Sequence, residues 1–173
     1  MRVKFALAVV MAVWAGAAAA GDPGCIAVAE AGPGLTPPDL GRGVLACAGA
    51  GEWDRGVELY ILMQLRAAYD TARVADQTAH QAGAVLAQQV TDALPAGGQE
   101  AFQAAFARFG DTGGARHKAF CTAVAAGGPP THDPAWMIQH GMGAFTDPAA
   151  EGLVPEFKPK AAWTALLADY LKC

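Results

Sequence analysis

Trp53, Val57, Tyr60, Ile61 and Leu65 recur at spacings of three and four, and this rhythm predicts an amphipathic helix over 52–69. Upstream, Leu40, Val44, Leu45 and Cys47 form a shorter apolar stripe. Thr36 followed by Pro37 and Pro38 marks its start, because proline suits a first helical turn, whose N–H groups have no intrahelical partner. Gly49-Ala50-Gly51 ends it after about Ala48. Downstream, helices are predicted from Thr71 or Asp76 to Leu94, stopped by Pro95, and then over 99–109, 115–126, 134–144 and 159–172. Phe102, Phe106 and Phe109 line one face of the 99–109 helix. Trp163, Leu166, Leu167, Tyr170 and Leu171 line one face of the last, and such stripes read as core. No segment alternates with period two, so no sheet is predicted. The fold class expected is all-α, an orthogonal bundle of about six to seven short helices.

The ends of the pattern differ. Arg2 and Lys4, the apolar run 5–14 and the small residues 16–20 predict a signal peptide over 1–20, cut after Ala20. Asp22-Pro23-Gly24 before Cys25 does not suit lipid attachment to that cysteine. Residues 21–35, rich in Gly, Pro and Ala, are expected as an extended N-terminal arm of one helical domain spanning 21–173. No later stretch approaches the roughly 18 uninterrupted apolar residues of a membrane span, so no membrane insertion is expected.

Composition sharpens this. The remaining 153 residues carry ten bases against sixteen acids, a net charge of −6, unsuited to nucleic acid. Cys25, Cys47, Cys121 and Cys173 all lie after the cut, and an even cysteine count in an exported chain predicts two disulfides. Cys25–Cys47 and Cys121–Cys173 is the expected pairing, since each bond would tie a terminal segment to a helix. The chain has no serine and no asparagine, which removes serine nucleophiles and a Cys-His-Asn arrangement. Phosphate-loop, dinucleotide, paired CxxC and HExxH patterns are also missing from the sequence. The reading therefore leans away from an enzyme and assigns no cofactor and no metal.

Candidate chemistry is sparse. His117 and Cys121 share a helix face, a spacing that suits a metal or an activated thiol, although Cys121 is expected to pair with another cysteine. The stretch 129–142 gathers His132, Asp133, Trp136 and His140 at a loop-to-helix junction. On one straight helix, His132 and His140 would stand about 12 Å apart, too far to share an ion. The expectation there is Asp133 as a cap, Trp136 and Met137 in the core and His140 partly buried with its hydrogen bonds satisfied; the alternative is a binding surface, because Trp and His at a rigid loop edge are good contact anchors. Arg66–Asp70 and Asp76–His80 have i,i+4 spacing and read as helix-surface ion pairs, with a buried network as the sharper alternative. Glu52, Glu58, Asp70 and Asp76 are the carboxylates available to a hydrolase, and no spacing singles out a pair.

Residues 36–69, through the run Gly51-Glu52-Trp53-Asp54-Arg55-Gly56-Val57-Glu58-Leu59-Tyr60, resemble a single tetratricopeptide-type helical hairpin, with Gly56 where alanine is usual. No second copy follows about 34 residues later, so the resemblance implies a packed helix pair rather than an array. The signal, the hairpin and the 129–142 stretch together resemble small exported helical proteins of Gram-negative bacteria, a likeness that implies no activity. The function expected is a periplasmic or secreted protein-interaction module, an inhibitor or immunity-type partner of a toxin or envelope enzyme, with another protein as its partner. The alternatives are a small-ligand or metal-binding protein using His132–His140, and a carboxylate-based hydrolase.

Overall fold

The computed structural model describes residues 22–146 and 152–173; the predicted signal peptide lies outside the described residues. Six helices longer than a single turn carry the fold: α1 (Pro37–Gly49), α2 (Trp53–Arg73), α3 (Ala82–Asp92), α4 (Gly98–Phe109), α5 (Ala115–Gly127) and α8 (Pro159–Asp169). Two single turns, α6 (Ala135–Ile138) and α7 (Gly143–Thr146), lie between α5 and α8. No strand forms among the described residues; Val74 and Leu153 make one isolated antiparallel bridge. The all-α, disulfide-stapled expectation holds, and both cysteine pairs form as expected, Cys25–Cys47 and Cys121–Cys173.

α2 is the axis. Leu59, Leu62, Met63, Leu65 and Tyr69 are all buried along it, against Leu40, Val44 and Cys47 of α1 and Phe102 of α4. α1 begins where the sequence places it. Thr36 Oγ1 accepts the Asp39 N–H at 3.2 Å while the Asp39 carboxylate accepts the Thr36 N–H at 2.8 Å, a reciprocal cap that satisfies two otherwise free donors. Gly41 and Gly43 let α1 approach its neighbours: a Cβ on Gly41 would fall 2.9 Å from Val90 Cγ2 of α3, and one on Gly43 3.1 Å from the Gly24 carbonyl.

Three elements depart from the sequence reading. The arm is not simply extended: Val28–Glu30 forms a 3-10 turn, and Val28 and Ala31 enter the core. The helix expected from Thr71 or Asp76 divides at Val74, where the backbone becomes extended; a 3-10 turn over Gln77–Gln81 then leads into α3. The helix expected over 134–144 breaks into α6 and α7. Asp76 Oδ2 accepts the Gly143 N–H at 2.7 Å and Thr78 Oγ1 accepts the Met142 N–H at 2.8 Å, so these donors turn outward instead of continuing the helix. α8 ends at Asp169, and Lys172 takes a left-handed conformation with φ 59° that brings Cys173 to Cys121.

Candidate functional site

The most concentrated polar chemistry lies where α2 ends against the loop before α6. Asp70, completely buried, follows the apolar side of α2 at the spacing Leu59–Leu62–Met63–Arg66–Asp70. Its Oδ1 receives Arg73 Nε at 2.8 Å, and its Oδ2 receives Trp136 Nε1 at 2.7 Å and His132 Nε2 at 2.9 Å. Arg73 Nη2 also donates to the His132 carbonyl at 2.7 Å. A buried carboxylate is tolerated only when its lone pairs are taken by such donors. Because Asp70 only accepts, the hydrogen of the His132 ring is on Nε2. Nδ1 is buried and without a partner among the described residues.

An imidazole oriented by a carboxylate is half of a general-base arrangement. Here the free nitrogen faces the interior and His132 is only 6 % exposed. The cluster therefore acts as a clamp that fixes residues 132–136 on α2. Arg73 also lies 5.1 Å from the Tyr69 ring centre, a cation–π contact. Burial raises the Tyr69 hydroxyl above its ordinary value of 10.0, with Arg73 opposing the rise and Asp70 adding to it.

A second buried arginine holds the arm. Arg66 Nη1 donates to the Gly32 and Leu35 carbonyls at 3.0 and 2.7 Å, and Nη2 to the Ala31 carbonyl at 2.8 Å. Burial pulls Arg66 down to about 10, opposed by the nearby Asp70 and Asp39 carboxylates. The surface-pair reading is thus corrected: Asp70 bonds Arg73, His132 and Trp136, and Arg66 bonds backbone. The Asp76–His80 pair is corrected likewise. Asp76 caps Thr78 N at 2.9 Å and Gly143 N at 2.7 Å, while His80 Nε2 meets the Val74 carbonyl at 2.9 Å.

The four residues singled out at 132–140 take separate places. Asp133 does not take the cap position, which falls to Pro134; from one residue further out its Oδ1 accepts the Ala135 N–H at 2.9 Å. Trp136 is half-buried, its indole N–H turned in to Asp70 and its ring at the edge of a cleft of about 270 Å³. His140 is exposed rather than partly buried, because the break after α6 turns it outward, with Nδ1 2.6 Å from the Trp136 carbonyl. Val85, Leu86 and Gln89 of α3 face Trp136, Gln139 and His140 across that cleft. The donor atoms of His132, Asp133 and His140 do not gather within chelating distance; among the described residues, His117, Cys121 and Cys173 are the three that do. Of the carboxylates, Asp70 is buried, Asp76 is a cap, and Glu58 accepts Arg116 Nη2 at 2.7 Å. No helix of the described residues is long and apolar enough to cross a membrane.

No family model matches the chain, and no curated protein and no solved structure is significantly similar to it.

Proposed function

We propose that the chain is an exported protein-binding module whose contact face is the cleft between α3 and α6. One observation carries the reading: Trp136 stands at the cleft edge on a segment held rigid by Asp70. Large aromatic side chains that are ordered before binding make strong contact anchors, because little side-chain entropy is lost on association. Val85, 47 % exposed, gives the opposite wall an apolar surface without a partner. The net charge of −6 expected after removal of residues 1–20 favours a basic partner through electrostatic steering. An inhibitor or immunity-type role toward a toxin or envelope enzyme fits this description.

The test has two parts. Mass spectrometry of the protein from its native host should show a chain beginning at Gly21 with no free thiol. A photo-crosslinking residue at Val85 or Gln139 should then give one adduct of defined mass in cells. The same residue at Ala125 on α5 should give none. Adducts absent from both cleft positions, or equal at all three, would rule the contact face out.

A further inference from the structure

A hollow of about 280 Å³ opens between α3 and α4 and shares no residue with the α3–α6 cleft. Its apolar part is aromatic. Tyr60 of α2 and Phe102 and Phe106 of α4 meet edge to face, with ring centres 5.3, 5.9 and 5.2 Å apart in the three pairs. Phe102 is buried, whereas Phe106 is 36 % exposed and keeps ring surface open to solvent. Gln88 and Thr91 of α3 and Gln99 and Gln103 of α4 supply the polar part. Spacings of three and four set Gln99, Phe102, Gln103 and Phe106 on one side of α4, so amides and rings are presented together. Among the described residues no lysine, arginine, histidine or carboxylate lines the hollow. Burial, joined by Tyr170 and opposed by Gln64, raises the Tyr60 hydroxyl above 10.0, so the lining is uncharged at neutral pH.

Neighbouring groups fix the hydrogen-bonding sense of the α3 wall. Gln88 Nε2 donates to Asp92 Oδ1 at 2.7 Å. A carboxylate only accepts, so the Gln88 amide is held with Oε1 left as an acceptor. Thr91 Oγ1 donates its one hydrogen to the Gln88 carbonyl at 2.8 Å, with the Ala87 carbonyl at 3.2 Å, and keeps its lone pairs. This wall therefore asks for donors. The α4 wall is different, because the exposed amides of Gln99 and Gln103 can each donate and accept. We propose that the hollow binds an uncharged sugar ring. Its hydroxyls donate to Gln88 Oε1 and Thr91 Oγ1 and exchange hydrogen bonds of both senses with Gln99 and Gln103. Its C–H face lies on Phe106, where the electron-rich face of the ring attracts weakly positive hydrogens. A charged ligand would lose hydration without gaining an opposite charge, and a purely apolar one would cover the amides and the threonine without pairing them. The volume lies at the small end for ligand sites, which suits one ring rather than a chain.

The experiment titrates the disulfide-bonded protein with four ring compounds of similar size while NMR follows backbone and side-chain amide signals. Methyl glucopyranoside is the neutral sugar, glucosamine the cation, glucuronate the anion, and cyclohexanol the apolar ring with a single hydroxyl. The glycoside should shift the side-chain amides of Gln99 and Gln103 and saturate with a Kd on the order of 1–10 mM, the usual strength for so small a ligand. The other three should bind about tenfold more weakly or worse, since each lacks hydroxyls or carries an unmatched charge. Thr91→Val keeps the shape and removes the acceptor, and Gln103→Leu changes an exposed position of α4. Each should weaken the glycoside by about two- to tenfold, the worth of one hydrogen bond, with the amide spectrum otherwise preserved. No saturable shift up to about 50 mM glycoside, or shifts confined to residues outside the hollow, would overturn the proposal. So would glycoside affinity unchanged in both variants. Equal binding of cyclohexanol or of either charged sugar would overturn the choice of ligand.

Discussion

Asp70 and Trp136, 66 residues apart in sequence, are joined by a 2.7 Å hydrogen bond from the indole N–H to the buried carboxylate. The bond places the start of α6 on the end of α2. Asp70→Ala removes the shared acceptor of Arg73, His132 and Trp136, leaving a mostly buried cation and two donors unpaired. Breaking such a buried network costs about 3–5 kcal/mol. Trp136→Phe removes one donor and should cost about 1–2 kcal/mol. Urea unfolding measures both, and an Asp70→Ala loss below that of Trp136→Phe would show that the cluster is not the clamp described.

Arg66→Met keeps an apolar stem but leaves the Ala31, Gly32 and Leu35 carbonyls without their donor. The loss is moderated because burying the guanidinium is itself unfavourable. Its folded value, about 10, lies below the ordinary arginine range, so the penalty applies at neutral pH and is relieved only as pH rises above that folded value. A net loss of about 1–3 kcal/mol is expected. Amide exchange should speed up most over residues 28–35, and uniform acceleration across the protein would count against a local clasp.

The two prolines after Thr36 and the apolar stripe of α2 were enough to place α1 and α2, because helix starts and core faces are written in adjacent residues. Cysteine pairing was also legible, since each bond closes an end onto a helix. The Asp70 cluster was not. His132 and Trp136 are 62 and 66 residues away from Asp70, and local spacing offers Arg66 as a nearer partner. The available signal was the stripe itself: Arg66 and Asp70 continue the buried face of Leu59, Leu62 and Met63, where a solvated ion pair does not belong. The break between α6 and α7 was hidden for a similar reason, because Asp76 and Thr78 supply it from outside the segment.

Two helix glycines should respond oppositely to alanine. A Cβ on Gly56 would meet Cys47 Cβ at 3.4 Å, an ordinary contact, and the gain in helix propensity of about 1 kcal/mol should appear as added stability. On Gly43 the same methyl would press on the Gly24 carbonyl at 3.1 Å and Leu59 Cδ1 at 3.2 Å. Overpacking of this kind costs about 1–3 kcal/mol. Thermal unfolding of the two variants should move in opposite directions, and a rise for Gly43→Ala would contradict the close approach of the arm to α1.

All three tyrosines, Tyr60, Tyr69 and Tyr170, are raised above 10.0, each chiefly by burial. In the unfolded chain they lose their protons first. Their contribution to stability is therefore complete below pH 10 and is lost as pH rises through the folded values. Tyrosinate absorbance of the native protein should have its midpoint above that of the chain in denaturant. Coincident midpoints would mean that the three rings are not shielded in solution.

The two disulfides close separate rings, 25–47 and 121–173, that share no residue. A peptide bond cut inside either ring leaves one covalent molecule. A cut anywhere between 48 and 120 yields two fragments with no covalent tie, although α2, α3 and α4 bury much of the core across that division. Whether the nicked protein stays whole thus depends on where the blade falls: cohesion is covalent at both ends and rests in the middle on side-chain packing alone.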